Sequence, residues 1–420
     1  MDRSGVTGNR GRSPRGAQLP GAVRLEDKMM LLNRRRVTAD TPVRTTRFWI
    51  FALAMLGVVF AGAFAGPRFA TAAPTPTEAP ECTAGVDLLG FSDALDKQTY
   101  DGTSVGGLSA LTYDARRDVY YSLVDNGPDS TSEARFYTLR IPIQNGTLGE
   151  PQILDVTTLK DANGQPYTAS NFDGEGLTLT HNGDLLISSE TEPSIRRFSI
   201  DGHLLEELPV PERFLVAPPG EATPNRTFES LSLSPNNRSL FTAVEEPLAS
   251  DRTADGSGRI RILRYEDRGP GGFVPAEEFY YLADPGLGVV EIVALSEKEL
   301  LVMERGFQAG VGNTVRIYRV SLEGATDVSG EPSLAAPGLE PVEKELLVDL
   351  ADCPSGGAET ALGAVQPNPL LDNFEALTLG PRLPGGRRSL VLVSDDNFSA
   401  SQVTRVVELG VESRQLMMGR

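Results

Sequence analysis

Nine acidic residues occupy two recurring places in a repeated phrase of the sequence. Glu175, Glu229, Glu291 and Glu375 each open a short apolar run, as in Glu175-Gly-Leu-Thr-Leu179 and Glu375-Ala-Leu-Thr-Leu379; Ser109 holds that place in the first copy. A second apolar run follows each time and ends in an acid: Asp125, Glu190, Glu245, Glu304 and Asp395. Carboxylates gathered in a small, partly desolvated space cannot all stay ionised unless cations neutralise them or several take up protons. Hard oxygen donors in such number suit Ca²⁺ better than Zn²⁺. Asp173, Asp396, Asn397 and Asn126 lie beside these acids and add further oxygens. Arg305, next to Glu304, is a donor for an anionic group, and Glu229 and Glu375 are candidate bases. The bland alternative for any one acid is a turn cap or a local arginine pair.

Other chemistries have little support. The only histidines are His181 and His203, both in turns with no serine elbow nearby, which speaks against a Ser-His-Asp triad. No His/Cys cluster offers a zinc site. Metal-assisted hydrolysis remains, with a carboxylate as base.

The elements that must position the acids are strands. The paired runs are about five residues long, alternating or continuously apolar, and turn residues such as His181-Asn-Gly-Asp184 and Ser234-Pro-Asn-Asn237 separate them. A third, basic-apolar strand follows, as in Arg259-Ile-Arg-Ile-Leu-Arg-Tyr265 and Gln402-Val-Thr-Arg-Val-Val407, then a weaker fourth, as in Leu204-Leu-Glu-Glu-Leu208. Four antiparallel strands repeated around a ring describe an all-β β-propeller. Five four-stranded blades are visible, and the interval from Glu291 to Glu375 leaves room for a degenerate sixth. Val86-Asp-Leu-Leu-Gly90 is placed to supply the last blade's missing strand and close the ring. In a propeller the first strands line the channel, so both sets of acids should crowd one mouth of it.

Along the chain, residues 1–47 form a basic leader expected to be disordered, and 48–72 carry the uncharged apolar run Phe48 to Gly66. That run has the length of a bilayer span, and small residues follow it, so signal peptide and uncleaved anchor are both open. Either way the remainder is expected to be secreted or periplasmic, touching the membrane only through residues 48–66. Residues 73–81 are a Pro/Thr-rich spacer, 82–410 the propeller domain and 411–420 a tail. Cys82 and Cys353 read as a disulfide in an oxidising compartment, or as two buried thiols. With 39 basic and 57 acidic residues, the chain repels phosphate backbones, so no nucleic-acid partner is expected. A monomer acting on a small anionic or ester substrate is.

Asn171-Phe-Asp-Gly-Glu-Gly-Leu-Thr-Leu179, Thr227-Phe-Glu-Ser-Leu-Ser-Leu233, Asn373-Phe-Glu-Ala-Leu-Thr-Leu379 and Val393-Ser-Asp-Asp-Asn-Phe398 resemble the phytase-like family, described as having "esterase-like activity of phytase". The resemblance runs from about Val86 to Leu409. It implies a secreted or periplasmic β-propeller that hydrolyses phosphate or carboxyl esters, with calcium a cofactor by more distant comparison to β-propeller phytases. The alternative is a non-catalytic envelope propeller that binds a ligand or partner, its acids structural.

Overall fold

Short runs with apolar residues at every second position can bury one or both faces only by pairing with neighbours of the same kind. In the computed structural model, which describes residues 81–125, 127–144 and 146–417, they do so as five antiparallel sheets. The leader, the proposed signal or anchor, most of the spacer and Asn126 lie outside the described residues. Among the described residues no helix is long and apolar enough to cross a membrane.

Blade one consists of strands Leu108–Asp114, Val119–Val124, Arg135–Arg140 and Gln152–Thr158. Blade two follows with Gly174–Leu179, Leu185–Ser189, Ser194–Phe198 and Leu204–Leu208. Blade three has Ser232–Leu233, Ser239–Ala243, Gly258–Asp267 and Phe273–Ala283. Blade four has Gly288–Ala294, Glu299–Gln308, Gly312–Ser321 and Glu343–Asp349. In blade two Gly183, at φ 92°, supplies the left-handed residue that the tight turn between its first two strands requires.

Blade five is built from both ends of the described chain. Phe374–Leu383, Arg387–Ser394 and Val406–Glu412 are joined by Val86–Ser92, with Glu81–Thr83 at the edge. The third strand begins later than its sequence suggests, at Val406 instead of Gln402. Backbone N–H groups just before it are taken by side chains: Val403 donates to Asp372, Thr404 to Asp96 and Arg405 to Ser394. There is no sixth blade among the described residues; the long interval after blade four is a connecting loop.

The core lies between blades, not within one. Ala110, Tyr121 and Phe136 of blade one pack with Leu177, Leu185 and Ile187 of blade two. Leu111 and Tyr120 on the other face of blade one meet Val391 and Val406 of blade five. The inner strands of blade one therefore bury both faces, which explains why Val119–Val124 is almost wholly apolar, while its outermost strand, Gln152–Thr158, stays partly exposed and more polar.

Two features hold the seam. Cys82 and Cys353 form a disulfide that spans 271 residues of chain. Arg405, fully buried, donates two hydrogen bonds to Asp93, at 2.7 and 2.8 Å, and others to the carbonyls of Glu359, Pro369 and Leu370. One side chain thus ties the closing strand to the loop before blade five.

Every first strand carries a bulge at the same place. Pairing runs Leu108–Val124, Gly174–Ser189, Phe228–Val244, Val289–Glu304 and Phe374–Ser394, and then slips by one residue. The extra residue re-aims the side chains that follow the pair.

Candidate active site

The bulges decide which residues occupy equivalent positions. On first strands the residue after the pair is Ser109, Glu175, Glu229, Val290 or Glu375; on second strands it is Asp125, Glu190, Glu245, Arg305 or Asp395. The acids of the second set donate their own N–H groups back to the first strand's approach, as Asp125 does to Gly107 and Glu245 to Thr227. These side chains converge on a cavity of about 250 Å³ lined by Asp125, Glu175, Glu190, Glu229, Glu245, Glu375 and Asp395. Asn225, Arg226, Arg305, Asn373 and Asn397 complete its wall, so no apolar residue faces it.

Within the cavity the charges are unevenly spread. One oxygen from each of the lining residues Asp125 and Glu175 and from Asp173 behind them, all buried, lies within 4.8 Å of the others. Asp125 comes from blade one and the other two from the entry to blade two. Burial, then Glu229 and the nearby Asp173, push the Glu175 carboxyl well above the usual range. Glu229 is raised in the same way by burial and by Glu190, with which it shares a hydrogen bond. Glu190 also accepts from the Thr227 N–H at 2.7 Å. Asp395 is raised by burial and by Glu375, although the Asn397 N–H donates to it at 2.7 Å.

The cationic side is formed by two arginines. Arg305 reaches Glu375 at 3.0 Å and Glu245 at 3.7 Å, and Arg226 pairs with Glu245 and Glu246. Glu375 also accepts from the Asn373 amide at 3.0 Å. Burial raises Glu375 while Arg305 pulls it back.

Three expected contributors stand elsewhere. Glu304 is fully buried between blades three and four, where it accepts from Tyr281, from the Asp284 N–H and from Lys344 at 2.5, 2.9 and 2.6 Å. Glu291 follows the bulge instead of occupying it, and pairs with Met303. Its carboxyl turns to the backbone N–H groups of Ile292, Leu231 and Leu377, and burial raises it well above the usual range. Neither lines the cavity, because blade four is offset by one residue from the alignment of the acids. Asp396 turns away to Lys97 and the Gly107 N–H. Ser109 donates to the Gly174 carbonyl at 2.8 Å.

Arg226 and Asn225 were missed by sequence reasoning, since they sit in the loop ahead of blade three. The signal was available: they precede the Thr227-Phe-Glu229 phrase directly. His181 and His203 lie in the outer turns that follow strands Gly174–Leu179 and Ser194–Phe198.

A family profile matches residues 103–398, under the description "Phytase-like: Esterase-like activity of phytase". The chain belongs to the phytase-like family. No curated protein matches this phytase-like chain. Among solved structures it is similar to the periplasmic gluconolactonase of Pseudomonas aeruginosa, at 16% identity over 73% of this chain and 86% of that one, TM-score 0.31. It is also similar to a gluconolactonase of Xanthomonas campestris, at 10% identity over 80% and 96%, TM-score 0.35. A third is hydrazine synthase of Kuenenia stuttgartiensis, at 9% identity, TM-score 0.32, over 72% of this chain and 61% of that chain, under two thirds of its length. Scores of this size bear on neither chemistry nor substrate.

Proposed function

We propose that the phytase-like chain is an exported ester hydrolase that works with a divalent cation, calcium by its donors, in the acidic cavity. One observation carries this reading: three buried carboxylates converge within 4.8 Å beside a wall that also holds two arginines. The donor set is oxygen only, as a hard cation prefers. Asp125, Asp173 and Glu175 would hold the ion, with Glu190, Glu229, Glu245, Glu375 and Asp395 around it. A bound cation would polarise an ester oxygen and offset the charge of the carboxylates.

The remaining roles fall to the chain's own groups. Glu229 shares a hydrogen bond with Glu190 and burial holds its carboxyl well above the usual range, which suits it to a proton-transfer role. Glu375, held between Arg305 and Asn373, is the second candidate base. Arg305 and Arg226 would steady an anionic portion of the substrate, such as a phosphate, in competition with their present carboxylate partners. The Cys82–Cys353 disulfide supports a secreted or periplasmic location.

A second reading, a non-catalytic propeller, is favoured by one fact: the three clustered carboxylates come from two blades, so an ion there would tie the blades together. Assays on phosphate and acyl esters with Ca²⁺, then with a chelator, separate the two. Turnover that disappears on chelation while circular dichroism is unchanged supports the hydrolase. A calcium-dependent rise in Tm with no turnover on any ester supports the binder.

A further inference from the structure

Beside the acidic cavity lies a second, larger one of about 440 Å³, a size within the range of small-molecule sites. Asn373 lines both, so the two cavities meet at this one side chain. The second cavity is formed where the hairpin joining strands Glu299–Gln308 and Gly312–Ser321 meets the loop ahead of blade five. That junction is built: the Asn313 N–H donates to the Gln366 side chain at 2.8 Å, and a Cβ at Gly312 would strike the Val365 carbonyl at 2.4 Å.

Its wall differs in kind from the acidic one. Phe307 and Val365 line it and are 67% and 56% exposed. Val311, at the hairpin tip, and Leu362, in the same loop as Val365, are exposed too, and these four are half of the large exposed apolar side chains among the described residues. Leu362 lines a separate cavity with Lys97 and Phe398, so the solvated apolar side chains that face this concavity are Phe307 and Val365, and they mark it as a binding surface. Asn313 also lines the cavity, is only 4% exposed, and its Oδ1 has no hydrogen-bond partner among the described residues. A buried acceptor left unmade is costly unless something donates to it.

We propose that this cavity binds the apolar acyl or aryl part of the substrate, one that carries a hydroxyl or amide donor for Asn313, while the ester is presented to the acidic cavity across Asn373. The proposal rests on the hydrolase reading for the ester, but its test does not. Neutral n-alkyl carboxamides, from acetamide through butyramide to hexanamide, are titrated calorimetrically into the full chain without calcium. Affinity should rise roughly threefold to fourfold per added methylene, and N,N-dimethylhexanamide, which lacks the N–H donor, should bind several-fold more weakly than hexanamide. Phe307→Ser and Val365→Ser, both at exposed positions, should flatten the dependence on chain length; Leu346→Ser, exposed on the outer strand of blade four, should leave it.

Affinity independent of chain length in the unaltered chain, or a slope that survives both cavity substitutions, overturns the proposal. Chain-length-dependent binding without hydrolysis of any ester would remove the hydrolase and keep the cavity. Hydrolysis without chain-length dependence would do the reverse.

Discussion

Arg305 is the residue on which the character of the cavity turns. It takes the place that Asp125, Glu190, Glu245 and Asp395 take in the other blades, so a ring of five acids becomes four acids and one guanidinium. Arg305→Ala removes the cation between Glu245 and Glu375. Calcium affinity, measured by titration, should rise, since a positive charge leaves the site. Turnover of an anionic ester should fall in kcat/KM by about a hundredfold, the size of a lost charge-assisted hydrogen bond of about 3 kcal/mol. Unchanged kcat/KM would place Arg305 outside the substrate's reach. Aligning the copies on their acids puts Glu291 and Glu304 in the ring; aligning them on the bulge puts Val290 and Arg305 there. A bulge is a matter of backbone pairing, which the letters of one chain do not display. One hint was present. The residues equivalent to Glu291 are Ala110, Gly176, Ser230 and Ala376, all small, which leaves room near the axis for a single carboxyl.

At the scale of the strand, the repeat was legible because each blade solves the same burial problem with the same period. The runs read from Ser109, Glu175, Glu291 and Glu375 fall on the strands Leu108–Asp114, Gly174–Leu179, Gly288–Ala294 and Phe374–Leu383, the run from Glu229 keeps only Ser232–Leu233 as strand, and the closing strand from Val86 was placed by the blade that lacked one. The late start of Val406–Glu412 was not, because it depends on distant acceptors, Asp96 and Asp372. The same strand carries a pH-sensitive group. Glu408 is fully buried, accepts from the Ser389 hydroxyl at 2.5 Å, and burial pushes its carboxyl up to about 7 from an ordinary 4.5. A carboxyl raised in the folded state contributes its full stability below the ordinary value and loses it as pH climbs through the raised one. The loss is about 3 kcal/mol at most between pH 4.5 and 8. Glu408→Gln should therefore flatten part of the fall in Tm over that interval, followed by thermal melts with calcium in excess. Parallel curves for the two proteins would refute this.

For the whole molecule, the disulfide has the greatest leverage. Cys82–Cys353 closes a loop of 271 residues, and in the chain-entropy account a bridge over so long a loop stabilises by at most about 5–6 kcal/mol through the unfolded state. The Cys82→Ala/Cys353→Ala double variant should lose up to that much unfolding free energy, read as a lower denaturant midpoint. Its calcium affinity should be unchanged, since neither cysteine lines the acidic cavity. An equal midpoint would mean that Arg405 and its partners hold the seam alone. The pairing of these cysteines was suggested by their even number; the buried arginine beside them gave no sign in the sequence, since its carbonyl partners are a product of the fold.

Because blade five takes strands from residues 81–92 and from 374–412, synthesis order matters. A ribosome delivers the first of these strands hundreds of residues before its partner. Until Val406 has emerged, Val86–Ser92 has no neighbour along that edge and the four finished blades form an open arc. Unpaired strand edges invite other chains, so the nascent protein is most exposed to aggregation just before its last strand arrives, and a chain cut short of Val406 is left in that state for good.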